Sequence, residues 1–249
     1  MSLYPAARPT VEVVLFPCLQ DNYGLLIRDM ATGRVAAVDT PDAERIAYEI
    51  DRRGWTLDII LNTHWHDDHV GGNMALKLQY GATIHGPDAE RDRIGTLDIT
   101  VREGDIIELG ETRIAVLATP GHTLGHVVYH IPAAGLIFVG DTLFAMGCGR
   151  LFEGTAEQMW RNMEMFAALP PDTSIYCAHE YTSGNGRFAA AMEPGNQAIA
   201  DRNIRVAAAR DRDEPTVPFT IADEYATNPF MRAGSSERLR ELRLAKDVF

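Results

Sequence analysis

The chain has 249 residues, a length that suits one large domain or a medium domain joined to a small one. Its formal net charge of −12 at pH 7 disfavours a nucleic-acid partner, because phosphate binding needs a clustered basic surface. Three cysteines without a C-x-x-C pair argue against a disulfide scaffold and favour a reducing compartment. No apolar run approaches a membrane span, and the first thirty residues lack a secretion-signal pattern. We therefore expect a cytoplasmic protein with no membrane partner.

The first third of the chain alternates between strand and helix patterns. Apolar, β-rich stretches predict strands at residues 11–16, 25–27, 35–38, 57–61 and 83–85. Apolar residues at helical spacing predict helices between residues 41 and 54 and at 74–78. The predicted order is β-β-β-α-β-α-β, with the helices returning to a sheet.

One stretch, residues 63–72, carries an unusual density of metal-ligand side chains. Within six positions it holds three imidazoles and two carboxylates: His64, His66, Asp67, Asp68 and His69. A lone loop histidine is usually solvent-exposed or packed in a core, but a solvated loop has no reason to concentrate five such groups. Nitrogen and oxygen ligands without a thiolate suit Zn, Fe(II), Mn or Ni in a catalytic site. The pattern is not H-E-x-x-H, so it does not predict a helix-borne protease site.

Further candidate ligands follow predicted strands in the middle of the chain. Strands are predicted at residues 105–109, 113–117, 126–131, 136–139 and 174–177, with a helix from about residue 155 to Pro170. His122, Asp141 and His179 come after three of these strands. Side chains at strand ends gather at one edge of a sheet, so seven nitrogen and oxygen donors could meet there. That number fits two divalent ions sharing one ligand.

Three histidines remain, and we interpret them as structural. These are His85, His126 and His130, which fall inside predicted strands, where a side chain points into a core or to solvent.

The composition changes near residue 181, where strand patterns give way to helical ones. Residues 184–186, which read G-N-G, predict a loop, and helices are predicted at 189–192, 197–210 and 236–245. We therefore divide the chain into a domain of alternating strands and helices, residues 1–180, and a small α-helical domain, residues 181–249.

The motifs together resemble a known family. T-H-W-H-D-D-H at residues 63–69, G-H-T-L-G-H at 121–126, G-D-T-L-F at 140–144 and A-H-E-Y at 178–181 resemble the metallo-β-lactamase superfamily. E-P-G-N at 193–196, E-P-T-V-P at 214–218 and N-P-F-M-R at 228–232 are similar to the glyoxalase II, or hydroxyacylglutathione hydrolase, family. The tail motifs are the more specific. The resemblance implies an α+β fold, a four-layer αββα sandwich followed by a small C-terminal all-helical domain.

The resemblance also implies a binuclear site, with zinc as the first expectation and iron or manganese as alternatives. One metal would be held by His64, His66 and His122, and the other by Asp68, His69 and His179. Asp141 would bridge both metals, together with a water or hydroxide. Asp141 and Asp68 are our catalytic candidates, the latter with a secondary role in orienting the hydroxide.

The implied substrate is a glutathione thioester. The activity would be hydrolysis of S-(2-hydroxyacyl)glutathione, such as S-D-lactoylglutathione, to glutathione and a 2-hydroxy acid, the second step of methylglyoxal detoxification. By motif position the substrate-binding candidates are Arg150, Tyr181, Arg243 and Lys246. Some members have Lys and Tyr where this chain has Arg150 and Phe152, and Phe152 cannot supply a hydroxyl contact.

Thioester chemistry also fits the residues themselves. A thiol with a pKa of about 8.5 can leave as a thiolate without a strong general acid, whereas amide hydrolysis would need a proton donor that the motifs do not supply. The alternatives are a glutathione persulfide dioxygenase, a lactonase or an RNA-processing nuclease of the same superfamily, and a non-catalytic metal-binding module. We expect a monomer.

Overall fold

The computed structural model describes residues 10–249, so the secretion-signal prediction falls partly on residues outside this description. The first half forms a six-stranded sheet in the order β1-β2-β3-β4-β5-β6. Its strands are β1 Val11–Cys18, β2 Asn22–Asp29, β3 Val35–Val38, β4 Ile59–Leu61, β5 Thr83–Pro87 and β6 Ile99–Val101. The first three strands pair antiparallel, and β3 to β6 pair parallel.

The second half forms another six-stranded sheet in the order β14-β13-β10-β9-β8-β7. Its strands are β7 Ile106–Leu109, β8 Thr112–Ala118, β9 Val127–Ile131, β10 Leu136–Gly140, β13 Ser174–Cys177 and β14 Phe219–Thr220. Only β10 and β13 pair parallel. A two-stranded hairpin, β11 Leu143–Phe144 with β12 Gly147–Cys148, projects from the end of β10.

Nine α-helices of the described residues lie among and outside the two sheets. They are α1 Ala43–Asp51, α2 Asp67–Val70, α3 Asn73–Tyr80, α4 Arg91–Ile94, α5 Ala156–Ala167, α6 Thr182–Met192, α7 Gln197–Arg210, α8 Ile221–Thr227 and α9 Ser236–Asp247. The helices α1, α3 and α5 are among those that cover the outer faces of the sheets. A capping box begins α5, with Thr155 and Gln158 each satisfying the other's backbone N–H. Within residues 10–249, no helix is both long and apolar enough to cross a bilayer.

Alternation along the strands separates the apolar residues into layers. In β2, Leu25 and Ile27 face the second sheet, where they join Ile114 and Val116 in the core between the sheets. Leu26 points the other way, against Ile46 of α1 and other residues of the outer helices. On the far side of the second sheet, α5 and the C-terminal helices share one core that includes Met163, Phe230 and Leu239. The predicted four-layer sandwich with a helical C-terminal part is confirmed.

The element predictions were wrong at several places. Residues 184–186 lie inside α6 and not in a loop. The strands β6 and β14 and the helix α8 were not predicted, because each is seven residues or shorter and lacks a clear period. The strand predicted at 126–131 begins one residue later, so His126 lies just outside it.

Candidate metal centre and adjoining cavity

The predicted metal ligands follow strands whose ends meet at one edge of the two sheets. The motif loop leaves β4 after Leu61 and runs into α2, while the other three candidates follow β8, β10 and β13. The structure brings all seven predicted donors together at this edge: His64, His66, Asp68, His69, His122, Asp141 and His179. The density of the motif and the strand-end rule were therefore sufficient to find the cluster.

The first group of donors consists of three imidazoles. His66 Nδ1 lies 2.9 Å from His64 Nε2 and 3.0 Å from His122 Nε2, so the three nitrogens converge. His64 and His122 are buried, and His66 is half-buried. Three imidazole nitrogens that converge on one point form a donor set that can hold a divalent metal ion.

The second group combines Asp68, His69 and His179. Asp68 Oδ2 lies 3.5 Å from His69 Nε2 and 3.4 Å from His179 Nε2. Asp141 lies between the groups, with Oδ1 at 3.4 Å from His69 Nε2 and Oδ2 at 3.5 Å from His122 Nε2. The two oxygens of one carboxylate thus face different groups of donors.

The far nitrogens of these imidazoles have fixed partners. His122 Nδ1 donates to the Arg150 carbonyl at 2.9 Å, and His179 Nδ1 donates to Asp21 at 2.8 Å. His69 Nδ1 donates to Asp39 at 2.8 Å. Each such bond leaves the Nε2 lone pair directed into the site, which is the tautomer that a metal ligand requires.

A divalent cation fits this donor set. His69 Nε2 and Asp141 Oδ1 are buried without a hydrogen-bond partner in the described chain, and such atoms are normally satisfied. Burial lowers the pKa of His64, His66 and His122, so these rings are neutral and able to donate a lone pair. The arrangement supports divalent metal binding.

The electrostatics of Asp141 and His69 point the same way. Burial opposes ionisation of Asp141, but the imidazoles of His69 and His179 outweigh it and lower the pKa of that carboxyl. Burial likewise lowers the pKa of His69, yet Asp141 and Asp39 raise it to about 9. A buried carboxylate that is held ionised among imidazoles has the charge and position of a bridging ligand.

The residue before Asp141 must be small. Gly140 has a φ of 47°, and a Cβ placed there would lie 2.7 Å from Thr63 Oγ1 and 2.8 Å from His126 Nε2. His126 is fully buried, and its Nε2 accepts the Asp141 backbone N–H at 3.2 Å. The histidine that we interpreted as structural therefore supports the backbone of a candidate ligand.

A cavity of about 530 Å³ opens directly beside the donors. Its wall includes His122 and Asp141 together with all four predicted substrate-binding residues, Arg150, Tyr181, Arg243 and Lys246. Tyr181 stacks on the His179 ring at 4.7 Å between centroids. Phe152, which is 60% exposed, faces the same cavity and contacts the His66 and His122 rings edge-on at 5.7 and 5.2 Å.

The cavity is locally cationic in a protein of net charge −12. Lys246 Nζ donates to the Gly184 carbonyl at 3.1 Å, and burial and the charges of Arg243, Arg187 and Arg150 lower its pKa. Within residues 10–249, neither Lys246 nor Arg150 forms an ion pair, whereas Arg243 pairs with Asp247 at 2.9 Å. Unpaired cations beside one cavity form a site suited to an anionic ligand.

Comparison with known proteins identifies the family. The model of the metallo-beta-lactamase superfamily matches residues 30–179, and the model of the hydroxyacylglutathione hydrolase C-terminus matches residues 180–249. The chain is 52% identical over 217 residues to the hydroxyacylglutathione hydrolase of Maricaulis maris, covering 87% of this chain and 85% of that protein. The chain belongs to the hydroxyacylglutathione hydrolase family. A hydroxyacylglutathione hydrolase of Brucella anthropi is 48% identical over 255 residues, covering 97% and 98% of the two chains.

Solved structures support the fold of this hydroxyacylglutathione hydrolase family member. The crystal structure of ETHE1 from Myxococcus xanthus aligns with a TM-score of 0.69 at 24% identity, over 94% of this chain and 89% of that one. A metallo-beta-lactamase from Staphylococcus aureus aligns with a TM-score of 0.70 at 21% identity, over 94% and 67%. Both likenesses concern the fold alone.

Sequence reasoning missed the residues that surround the donors. Asp39 and Asp21 receive imidazole N–H groups, and Asn22 donates to Asp68 Oδ2 at 2.9 Å. Asp39 follows β3 at the same sheet edge, so the strand-end rule could have found it. Asp21 lies in a turn with no such signal.

Proposed function

We propose that this protein hydrolyses S-(2-hydroxyacyl)glutathione thioesters, with S-D-lactoylglutathione as the reference substrate. The proposal rests on one observation, which is that the cationic cavity lies directly beside the metal-ligand cluster. The metal-ligand cluster and the cationic cavity share His122 and Asp141 as wall residues. A thioester carbonyl at the cluster would therefore leave its glutathione arm among cations, and glutathione carries a carboxylate at each end.

The seven donors would hold two divalent ions, zinc first and iron or manganese as alternatives. We assign His64, His66 and His122 to one ion, Asp68, His69 and His179 to the other, and Asp141 to both. This division is supported by the three clusters of donor atoms in the structure and by the two-sided position of Asp141. When bound, such ions supply Lewis acidity, which lowers the pKa of water and offsets negative charge on a carbonyl oxygen.

The residues of the chain orient the substrate and the ligands. Asp21 and Asp39 fix the rings of His179 and His69 by accepting hydrogen bonds from their Nδ1–H groups. Asp68 accepts a hydrogen bond from Asn22 at 2.9 Å, and we give it a secondary role in orienting the attacking water or hydroxide. Glutathione can leave as a thiolate without a dedicated acid, because a thiol has a pKa of only about 8.5.

The substrate arm is assigned to Arg150, Tyr181, Arg243 and Lys246. The C-terminal helices supply two of these cations, and the same helices match the hydroxyacylglutathione hydrolase C-terminus. The match of that C-terminal part to the hydroxyacylglutathione hydrolase family favours this activity over the persulfide dioxygenase and lactonase alternatives. Three buried, free cysteines are compatible with our further proposal of a cytoplasmic monomer.

A substrate panel tests the proposal. Purified, metal-loaded protein is incubated separately with S-D-lactoylglutathione, glutathione persulfide and an acyl-homoserine lactone, while thiol release, oxygen uptake and acid production are measured. We expect rapid thiol release from the thioester and little turnover of the other two compounds. Faster oxygen uptake with the persulfide, or faster lactone opening, would contradict the proposed substrate class.

A further inference from the structure

Glu153 connects the two loops that carry the three-imidazole group of donors. Its Oε1 accepts a hydrogen bond from Trp65 Nε1 at 3.1 Å, and its Oε2 accepts the Leu124 backbone N–H at 2.9 Å. Trp65 stands between His64 and His66 in the sequence, and Leu124 lies two residues beyond His122. One carboxylate therefore fixes the spacing of the loops on which His64, His66 and His122 converge.

The Trp65 indole contacts Arg93 and His66 in addition to Glu153. The Arg93 guanidinium lies 4.3 Å from the centre of the Trp65 ring and forms an ion pair with Glu153. The indole also contacts the His66 ring edge-on at 4.5 Å between centroids. Arg93, Trp65 and Glu153 thus form one contiguous cluster against His66.

His66 depends on this packing more than the other ligands do. Over residues 10–249, its hydrogen-bond contacts are confined to Nδ1 and reach only His64 and His122. His69, His122 and His179 each have a bond on the nitrogen that faces away from the site. Outside the donor group, the aromatic rings that contact His66 within residues 10–249 are those of Trp65 and Phe152.

We propose that Glu153 is a positioning residue for His66, and that it sets the divalent-metal affinity of the His64, His66 and His122 group. It acts through the Trp65 indole on one loop and through the Leu124 backbone on the other. The second group of donors lies outside its reach, because Asp21, Asp39 and Asn22 hold those side chains directly. This inference rests on the proposed two-ion site. It identifies a residue that affects the metal affinity of one donor group and not of the other.

Separate measurement of each donor group tests this role. In an Asp68→Ala background the three-imidazole group remains complete, and in a His66→Ala background the second group remains complete. Metal-free proteins are titrated with Zn²⁺ against a chromophoric chelator, with and without Glu153→Ala. We expect Glu153→Ala to weaken Zn²⁺ binding at least about tenfold in the Asp68→Ala background and less than about twofold in the His66→Ala background.

Matched variants separate positioning from general damage. Glu164→Ala removes an exposed carboxylate from α5 and should leave both affinities unchanged. Glu153→Gln keeps one oxygen acceptor and should give an intermediate loss, which provides a second test if the alanine variant does not fold. Trp65→Phe keeps an aromatic ring but deletes the indole N–H, and should also weaken binding in the Asp68→Ala background.

Two results would overturn the role of Glu153. One is an unchanged affinity in the Asp68→Ala background, and the other is an equal loss in both backgrounds. The titration contains no thioester, so its outcome does not depend on the proposed activity. A protein without thioesterase activity would contradict the proposed function and leave the Glu153 result to stand or fall separately.

Discussion

Lys246 and Arg243 lie one turn apart on α9, but their surroundings differ. The Arg243 guanidinium is buried, donates to the Cys148 carbonyl at 2.7 Å and pairs with Asp247. Lys246 is half-buried, and over residues 10–249 its ammonium has a carbonyl partner but no carboxylate within 4 Å. Substitution of Lys246 is therefore the most direct test of whether the cavity binds a negatively charged substrate.

The magnitudes follow from these contacts. A charge-assisted hydrogen bond in a partly closed site contributes about 1.5–3 kcal/mol, and about 1.4 kcal/mol corresponds to a factor of ten. Lys246→Ala should therefore raise KM for S-D-lactoylglutathione at least about tenfold while changing the free energy of unfolding by less than about 1 kcal/mol. Arg243→Ala should also raise KM, and should destabilise the fold by about 1–3 kcal/mol because the Cys148 carbonyl loses its donor.

Steady-state kinetics and urea unfolding measure both effects. A small neutral thioester should show a nearly unchanged KM in both variants, and Arg161→Ala, which removes an exposed cation from α5, serves as the control. Burial and the neighbouring arginines lower the pKa of Lys246, so its charge is lost as pH rises through a value below that of free lysine. KM should rise in that range in the wild type but not in Lys246→Arg. An unchanged KM in folded Lys246→Ala would exclude this lysine from the substrate site.

Three further predictions concern the donors and the buried ion pair. Asp141→Asn should remove most activity and lower the metal content, since a neutral amide bridges two cations poorly; full metal content by elemental analysis would argue against a bridge. His122→Ala should abolish turnover, while His85→Ala should keep kcat within about threefold, so equal losses would show that the wrong histidines were chosen. Arg202→Ala should lower the free energy of unfolding by about 3–5 kcal/mol, because it leaves Glu224, bonded at 2.6 Å, buried and unpaired. A loss below about 1 kcal/mol in urea would contradict that reading.

Elements with strong periodicity were predictable from the sequence, and those shaped by tertiary contacts were not. The helix α7, Gln197–Arg210, was predicted at both ends, because apolar spacing and the Asn196 cap agree. Residues 184–186 were predicted as a loop because glycine costs about 1 kcal/mol in a helix. A Cβ at Gly186 would lie 1.9 Å from Asn203 Oδ1, so this glycine allows α6 and α7 to pack closely. No local sequence pattern indicates this contact between α6 and α7.

The candidate site likewise contains residues that could be predicted from the sequence and residues that could not. The seven donors were predictable because they are dense in the motif or follow strands. Glu153 and Asp21 were not, because a single carboxylate in a loop carries no signal until its partners, Trp65 and His179, are known. The Phe152 ring was expected only to lose a hydroxyl contact, yet in the structure it packs against two candidate ligands.

The proposed activity requires two divalent ions, held by seven donors, for thioester hydrolysis. Metal-free protein is titrated with Zn²⁺ while the rate of S-D-lactoylglutathione hydrolysis is recorded at each metal-to-protein ratio. We predict negligible hydrolysis without metal and a rate that stops rising at two ions per chain. A rate that is already maximal at one ion per chain, or hydrolysis that persists in the metal-free protein, would contradict the requirement for two ions.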